Sequence, residues 1–101
     1  FRHNSLLPFI ERKVAGKIIK LLIDTGASKN YIKPIKGLKG IIPVANPFIV
    51  KTIHGFTAIK KKCTINIFQT NSNFFILPSL STFDGIIGLD ILTKTQIFYT
   101  S

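Results

Sequence analysis

The chain has 101 residues, 46% of them hydrophobic, and carries 14 basic against 4 acidic residues, for a formal net charge of +10. This length allows one compact domain with a modest core, so residues 1–101 are predicted to form a single domain. The lone Cys63 excludes an internal disulfide, and no Cys/His spacing resembles a zinc site, so neither a metal nor another cofactor is expected. No apolar run is long enough to cross a bilayer and no leader sequence opens the chain, so no membrane partner is expected.

The residue types favour strands, and the chain begins with a predicted hairpin. Ile dominates the aliphatic residues, nine Phe accompany many Thr, and Met and Trp are absent, which predicts an all-β protein. Residues 6 to 23 are predicted to form a hairpin with a turn at Ala15-Gly16. Its second strand, Lys17 to Ile23, becomes apolar on both faces at its end, which indicates that it enters the core. Asp24 would then follow the strand into a site walled by hydrophobic side chains.

The middle of the chain is predicted to hold a loop, a second hairpin and two further strands. Pro34 and glycines 37 and 40 break regular structure after Ile32, and the lysines between them indicate a solvated loop. Residues 48 to 62 are rich in β-formers around a His54-Gly55 corner, which predicts the second hairpin. The alternating segment Cys63 to Phe68 is the clearest strand, with Phe74 to Leu77 as its predicted partner after a polar turn at residues 69–73.

The last third contains an apolar pair, Ile86-Ile87, followed by Gly88. One short helix is predicted near residues 89 to 94, with Leu89 and Leu92 on a common face. Gln96 to Thr100 is predicted to be a terminal strand.

These segments together resemble a known family, the aspartic proteases of retroviruses and gypsy-type long-terminal-repeat retrotransposons. The resemblance rests on residues 22–28 (Leu-Ile-Asp-Thr-Gly-Ala-Ser), on the hairpin around His54-Gly55 and on residues 86–90 (Ile-Ile-Gly-Leu-Asp), in that order and at similar separations. It implies a retropepsin-like closed β-barrel with one short C-terminal helix, active as a symmetric homodimer. Residues 48–60 would be the flap that folds over a bound peptide.

The resemblance also implies the chemistry. Two carboxylates about 3 Å apart share one proton, so Asp24 from each of two chains would supply both the base and the acid that activate water against a peptide bond. The active-site loop would comprise Thr25, Gly26, Ala27 and Ser28. The residues expected to contact substrate are Thr52, Ile53, His54 and Gly55 of the flap, together with Ile86. His54 is interpreted as an exposed tip residue rather than a proton carrier.

Other acidic residues and the chain ends receive structural interpretations. Asp84 is expected to shape the turn before Ile86, and Asp90 to stand at the start of the helix. Ser28 and Leu89 replace the acid and arginine that retroviral members often have, which predicts weak, salt-assisted dimerisation. The terminal segments, residues 1–5 and 96–101, lack a clear interdigitating sheet pattern.

The expected substrate is a polyprotein with apolar side chains at the cut, in the cytoplasm or in virus-like particles of a retroelement. The basic surface leaves a weak nucleic-acid contact open, although the Lys60-Lys61-Lys62 triplet is better interpreted as the solvated end of a hairpin. The alternative function is a catalytically silent dimerisation module or a basic nucleic-acid adaptor with the protease fold.

Overall fold

A computed structural model describes residues 8–53, 55–80 and 82–95, and it is mostly β with one short helix, as the composition predicts. The predictions for residues 1–7, His54 and residues 96–101 lie outside these described residues. The elements in chain order are β1 (Phe9–Val14), β2 (Lys17–Ile23), β3 (Asn30–Ile32), β4 (Ile42–Thr52), β5 (Gly55–Ile67), β6 (Thr70–Ile76), β7 (Gly85–Ile87) and α1 (Leu89–Thr95). The strands form one sheet in the order β1-β2-β7-β3-β6-β5-β4.

The first hairpin and the helix are confirmed. β1 and β2 pair antiparallel from Phe9–Leu22 to Val14–Lys17, and Ala15 and Gly16 form the turn with φ values of 54° and 79°. The left-handed conformation at both turn residues matches the twist of a two-residue hairpin. The helix begins at Leu89 as predicted and ends at Thr95. No helix within the described part of the chain reaches the length and apolarity of a membrane span.

The second hairpin is longer than its sequence pattern indicates. β4 begins at Ile42, six residues before the predicted start at Phe48, because Pro43 and Pro47 are unfavourable in a strand interior. The register of the pairing with β5 shifts between Pro43 and Phe48. β5 continues without interruption through the lysine triplet into the segment predicted as a separate strand. The lysines therefore lie within a strand and not at a hairpin end, since no Gly or Pro interrupts the chain there.

The next turn is also displaced from its predicted position. Phe68 and Gln69, with φ values of 54° and 63°, form the turn, and the polar residues 71–73 belong to β6. Asn71, Ser72 and Asn73 pair with residues 66, 65 and 64 of β5. Backbone pairing thus outweighs the turn preference of these small polar side chains.

The central strands and the helix enclose the core. β7 pairs parallel with β2 and antiparallel with β3, while β3 pairs parallel with β6. α1 packs over this centre through Ile91 and Leu92, both 0% exposed. The buried cluster consists of Ile19, Leu21, Ile32, Cys63, Ile67, Phe74, Ile87, Ile91 and Leu92. Burial raises the pKa of the Cys63 thiol, which favours its unreactive protonated form.

The prediction of a closed barrel is wrong, because the sheet is open among the described residues. β1 and β4 stand at its two ends and pair with β2 and β5 respectively, not with each other. Pro43 and Pro47 deprive β4 of two backbone donors, which makes it suited to an edge position.

Asp84 joins the middle of β2 to the end of β3 and the start of β7. Its Oδ2 accepts a 2.8 Å hydrogen bond from the Lys20 backbone N–H, and its Oδ1 lies 2.8 Å from Lys33 Nζ. Its backbone pairs with both neighbours as well, at 2.9 Å from Lys20 O and from Lys33 N. The hydrogen bond from the Lys33 side chain, followed by that from the Lys20 backbone, lowers the pKa of the Asp84 carboxyl. This structural role agrees with its interpretation from the sequence.

We expect Asp84 to stabilise the fold in a pH-dependent way. Because its pKa is lower in the folded state, its contribution is complete above the ordinary aspartate value of about 3.9 and is lost as the pH falls below it. Asp84→Asn should therefore cost about 1 kcal/mol of unfolding free energy near neutral pH, since the ion pair is partly exposed. Urea denaturation at about pH 7 and about pH 3 measures this difference. A difference that is equally large at both pH values would contradict it.

Candidate active site

Asp24 follows the end of β2, which lies between the edge strand β1 and β7 in the sheet, and begins a tight loop. Its backbone N–H donates to Ile87 O of β7 at 3.0 Å, and its carbonyl accepts from Ala27 N–H at 3.1 Å. The Gly26 N–H donates to Asp24 Oδ1 at 2.8 Å. The carboxylate is therefore oriented by the backbone of its own loop, as a reacting group requires.

The loop of residues 24–28 is attached to the start of the helix. Ala27 O accepts a 2.8 Å hydrogen bond from Leu89 N–H. Gly88 makes this approach possible, because a Cβ at that position would lie 2.3 Å from Lys29 O and 2.5 Å from Ala27 O. The resemblance of residues 86–90 to the protease family thus corresponds here to a backbone contact with the Asp24 loop.

Asn30 ties the loop, the helix and β6 together, and sequence reasoning missed it. Its Oδ1 accepts from the buried Gly88 N–H at 2.9 Å. Its Nδ2 donates to Asp90 Oδ2 at 2.8 Å and to Asn73 O at 3.1 Å. Asn30 is only 1% exposed, so these three bonds replace contacts with water that the amide loses on burial. The sequence offers one indication of Asn30, namely that a polar residue directly precedes the apolar pair Tyr31-Ile32. The same pattern is equally typical of a turn.

The predicted loop residues differ in their exposure. Asp24 and Ala27 are half-buried, whereas Thr25, Gly26 and Ser28 are exposed. Asp84 and Asp90 bond to Lys33 and Asn30 respectively, so their carboxylates are engaged in structural contacts. Within the described ranges, no three His, Cys, Asp or Glu side chains lie together as a metal site would require.

A small apolar concavity lies between the tip of the second hairpin and the centre of the sheet. We call it the flap-tip cleft. It measures about 170 Å³ and brings together three of the predicted substrate-contact residues, Thr52, Ile53 and Ile86. Its other lining residues are Leu22, Ser79, Leu80, Thr82 and Phe83.

The hairpin tip itself is open to solvent in the single chain. Ile53 is 95% exposed, and Gly55 pairs with Thr52, whose Oγ1 donates to Gly55 O at 3.2 Å. The base of the hairpin is attached to the loop region through Phe48, whose ring lies 5.2 Å from Lys29 Nζ and 5.2 Å from the Phe75 ring. Cation–π and edge-to-face contacts of this kind each contribute modestly to stability.

Comparison with known proteins gives one strong similarity. The chain is 57% identical over 97 residues to a protein of Drosophila melanogaster, the retrovirus-related Pol polyprotein from transposon gypsy. The aligned region includes 96% of this chain, and the chain spans only 9% of that polyprotein's length. No family model matches the chain.

We expect replacement of Asn30 to loosen the loop that carries Asp24. Asn30→Ala would leave the Gly88 N–H, the Asn73 carbonyl and the Asp90 carboxylate without their partner, at a cost of about 2–4 kcal/mol in unfolding free energy. Asn66→Ala is the matched control, because this exposed asparagine makes a single side-chain bond to Asn71 Oδ1 at 3.0 Å. Its cost should stay below about 0.5 kcal/mol in the same denaturation assay. Equal costs for the two variants would contradict a central role for Asn30.

Proposed function

Since the chain is 57% identical to a segment of the Pol polyprotein of a gypsy-type retrotransposon, we propose that it is an aspartic endopeptidase that processes such a polyprotein. The proposed enzyme is a single domain over residues 1–101 that acts as a symmetric homodimer. Asp24 from each protomer supplies one half of the catalytic dyad. No cofactor takes part in the proposed reaction.

The observation that carries the proposal is the way the Asp24 carboxylate is presented. It stands at the end of a core strand, is oriented by Gly26 N–H at 2.8 Å, and remains only half-buried. The loop around it is held to β7 and the helix by main-chain bonds of 2.8–3.0 Å. A fixed carboxylate with one open side is suited to acid–base work on a bound water and a peptide carbonyl.

The reaction needs a second carboxylate, and this chain offers no suitable one of its own. Asp84 and Asp90 are engaged elsewhere, and Glu11 lies on β1, which pairs with β2 alone among the described strands. A second copy of the exposed Thr25-Gly26 loop, related by a two-fold axis, would bring the two Asp24 side chains together. The pair would retain one proton, so activity should be highest at acidic to neutral pH.

The flap-tip cleft supports a peptide substrate with apolar side chains next to the cut bond. Leu22, Ile53 and Ile86 line the cleft with aliphatic surface. Leu22 precedes Asp24 by only two residues in the chain. The exposed Ile53 would become covered when the hairpin closes over the peptide. Backbone groups of the flap would contribute hydrogen bonds to an extended substrate.

We expect Asp24→Asn to abolish peptide cleavage while preserving the fold. Removal of the acid–base pair should lower kcat by at least about a hundredfold, since proton transfer by a positioned group contributes that much or more. Hydrolysis of an apolar decapeptide near neutral pH, with and without a statine inhibitor, provides the measurement. Asp84→Asn is the matched control, because it also replaces one aspartate by asparagine but lies outside the loop that carries Asp24. It should retain cleavage. Undiminished turnover in Asp24→Asn would show that the proposed mechanism is wrong.

We also expect activity to follow dimerisation, and dimerisation to strengthen with salt. Each 11.3 kDa chain carries a net charge of +10, so two copies repel one another until ions screen them. Sedimentation equilibrium at about 0.05 M and about 0.5 M salt should show a larger dimer fraction at the higher concentration. A monomer that still cleaves peptides at full rate would exclude the shared dyad.

A further inference from the structure

A second and larger concavity lies beside the second hairpin and is lined by other residues than the flap-tip cleft. We call it the flap-base groove. It measures about 810 Å³ and is lined by residues of β5 and of the loop 34–41, together with Ile76 and Pro78. This volume falls within the range of about 300–1,000 Å³ that is usual for ligand-binding clefts.

The walls of the flap-base groove are aliphatic and partly open to solvent. Ile35, Ile41 and Ile76 contribute aliphatic surface, and Phe56 adds an aromatic ring. Ile41 is 43% exposed and Phe56 is 72% exposed. Apolar surface that is concave and exposed in this way is typical of a site that buries apolar side chains of a ligand.

The charged residues that line the groove in the described part of the chain are all basic. Lys36, Lys60 and Lys61 are among its lining residues, all three are exposed, and none of the described lining residues is acidic. Lysines keep their charged ends in water while their stems cover apolar surface, so they can meet carboxylates of a ligand at the rim. The groove thus combines an apolar interior with a cationic border.

The groove and the flap-tip cleft are lined by neighbouring residues. Pro78 lines the groove, and the following residues, Ser79 and Leu80, line the cleft. Thr57 of the groove and Ser79 of the cleft are joined by a 3.3 Å contact between their hydroxyl oxygens. A polypeptide that leaves the cleft could therefore continue past Thr57 and Ser79 into the groove.

Charge and surface type select one class of ligand. A second copy of the chain is a poor match, because its 14 basic residues outnumber its 4 acidic ones and would repel the lysines. Single-stranded nucleic acid binds through several stacking aromatic side chains, whereas Phe56 is the one aromatic residue among the described residues that line this groove. A polypeptide with apolar and acidic side chains matches both the walls and the rim.

We propose that the flap-base groove binds an extended polypeptide segment in which aliphatic side chains alternate with Asp or Glu. This inference rests on the proposed function, since the segment would belong to the polyprotein substrate and lie outside the residues at the cut. The groove would increase affinity for substrates that carry such a segment and would leave the chemistry at Asp24 unchanged.

The test is binding of a fluorescently labelled peptide of Ile, Leu and Glu, measured by anisotropy in the presence of a saturating statine inhibitor. We expect binding to persist in the presence of the inhibitor and to weaken with salt. Lys60→Glu/Lys61→Glu should weaken it about tenfold, through loss of attraction and gain of repulsion at two rim positions. Ile41→Ser should also weaken it, through loss of apolar contact. The control Lys13→Glu/Lys17→Glu makes the same charge change on the first hairpin, outside the groove, and should alter affinity less than about twofold.

Three results would overturn this proposal. Equal weakening in both charge variants would indicate a general attraction to the basic protein. Displacement of the peptide by the statine inhibitor would place it in the flap-tip cleft. Tighter binding of a single-stranded RNA, lost in Lys60→Glu/Lys61→Glu, would assign the surface to nucleic acid. None of these measurements depends on turnover, so failure of the groove and failure of the Asp24 dyad can be told apart.

Discussion

The amide of Asn30 is the constraint on which the candidate site depends. Asn30 stands at the start of β3, is buried, and uses both ends of its side chain at once. Through Gly88 and Asp90 it fixes the start of the helix, and through Asn73 it fixes β6. Among the described residues, no buried side-chain nitrogen or oxygen lacks a hydrogen-bond partner. A fully satisfied polar centre of this kind permits little rearrangement, so the Asp24 loop is held in one conformation.

The parts of the fold that the sequence predicts well are those with strong local patterns. Local residue types favour one structure in three places. These are the turn at Ala15-Gly16, the apolar strand before Asp24 and the helix after Gly88. The start of β4 and the first half of β6 were harder, because prolines and small polar residues there favour loops locally and form strands only through pairing with β5. Such pairing depends on residues distant in sequence, which a local pattern does not contain. The open sheet was missed for a related reason, since whether two edge strands meet depends on global geometry.

The candidate site likewise contains residues that the local sequence predicts and residues that it does not. The motif at residues 24–27 and the pair Ile86-Ile87 are recognisable from sequence because the family resemblance includes them. Asn30 is not, because its importance arises from three partners that lie 43, 58 and 60 residues away. Lys29 and Phe48 likewise come together only in the folded chain. The sequence therefore predicts which groups carry the proposed chemistry, whereas the structure is needed to find the groups that position them.

The long separation between Asn30 and its partners has a consequence for biosynthesis. A ribosome makes residue 30 well before residues 73, 88 and 90, so the Asp24 loop cannot acquire its final anchoring until the helix has left the exit tunnel. Nascent chains and products truncated before Gly88 would therefore lack an ordered acidic loop. For the proposed endopeptidase, this order of synthesis would delay self-digestion of a polyprotein until the whole segment has been translated.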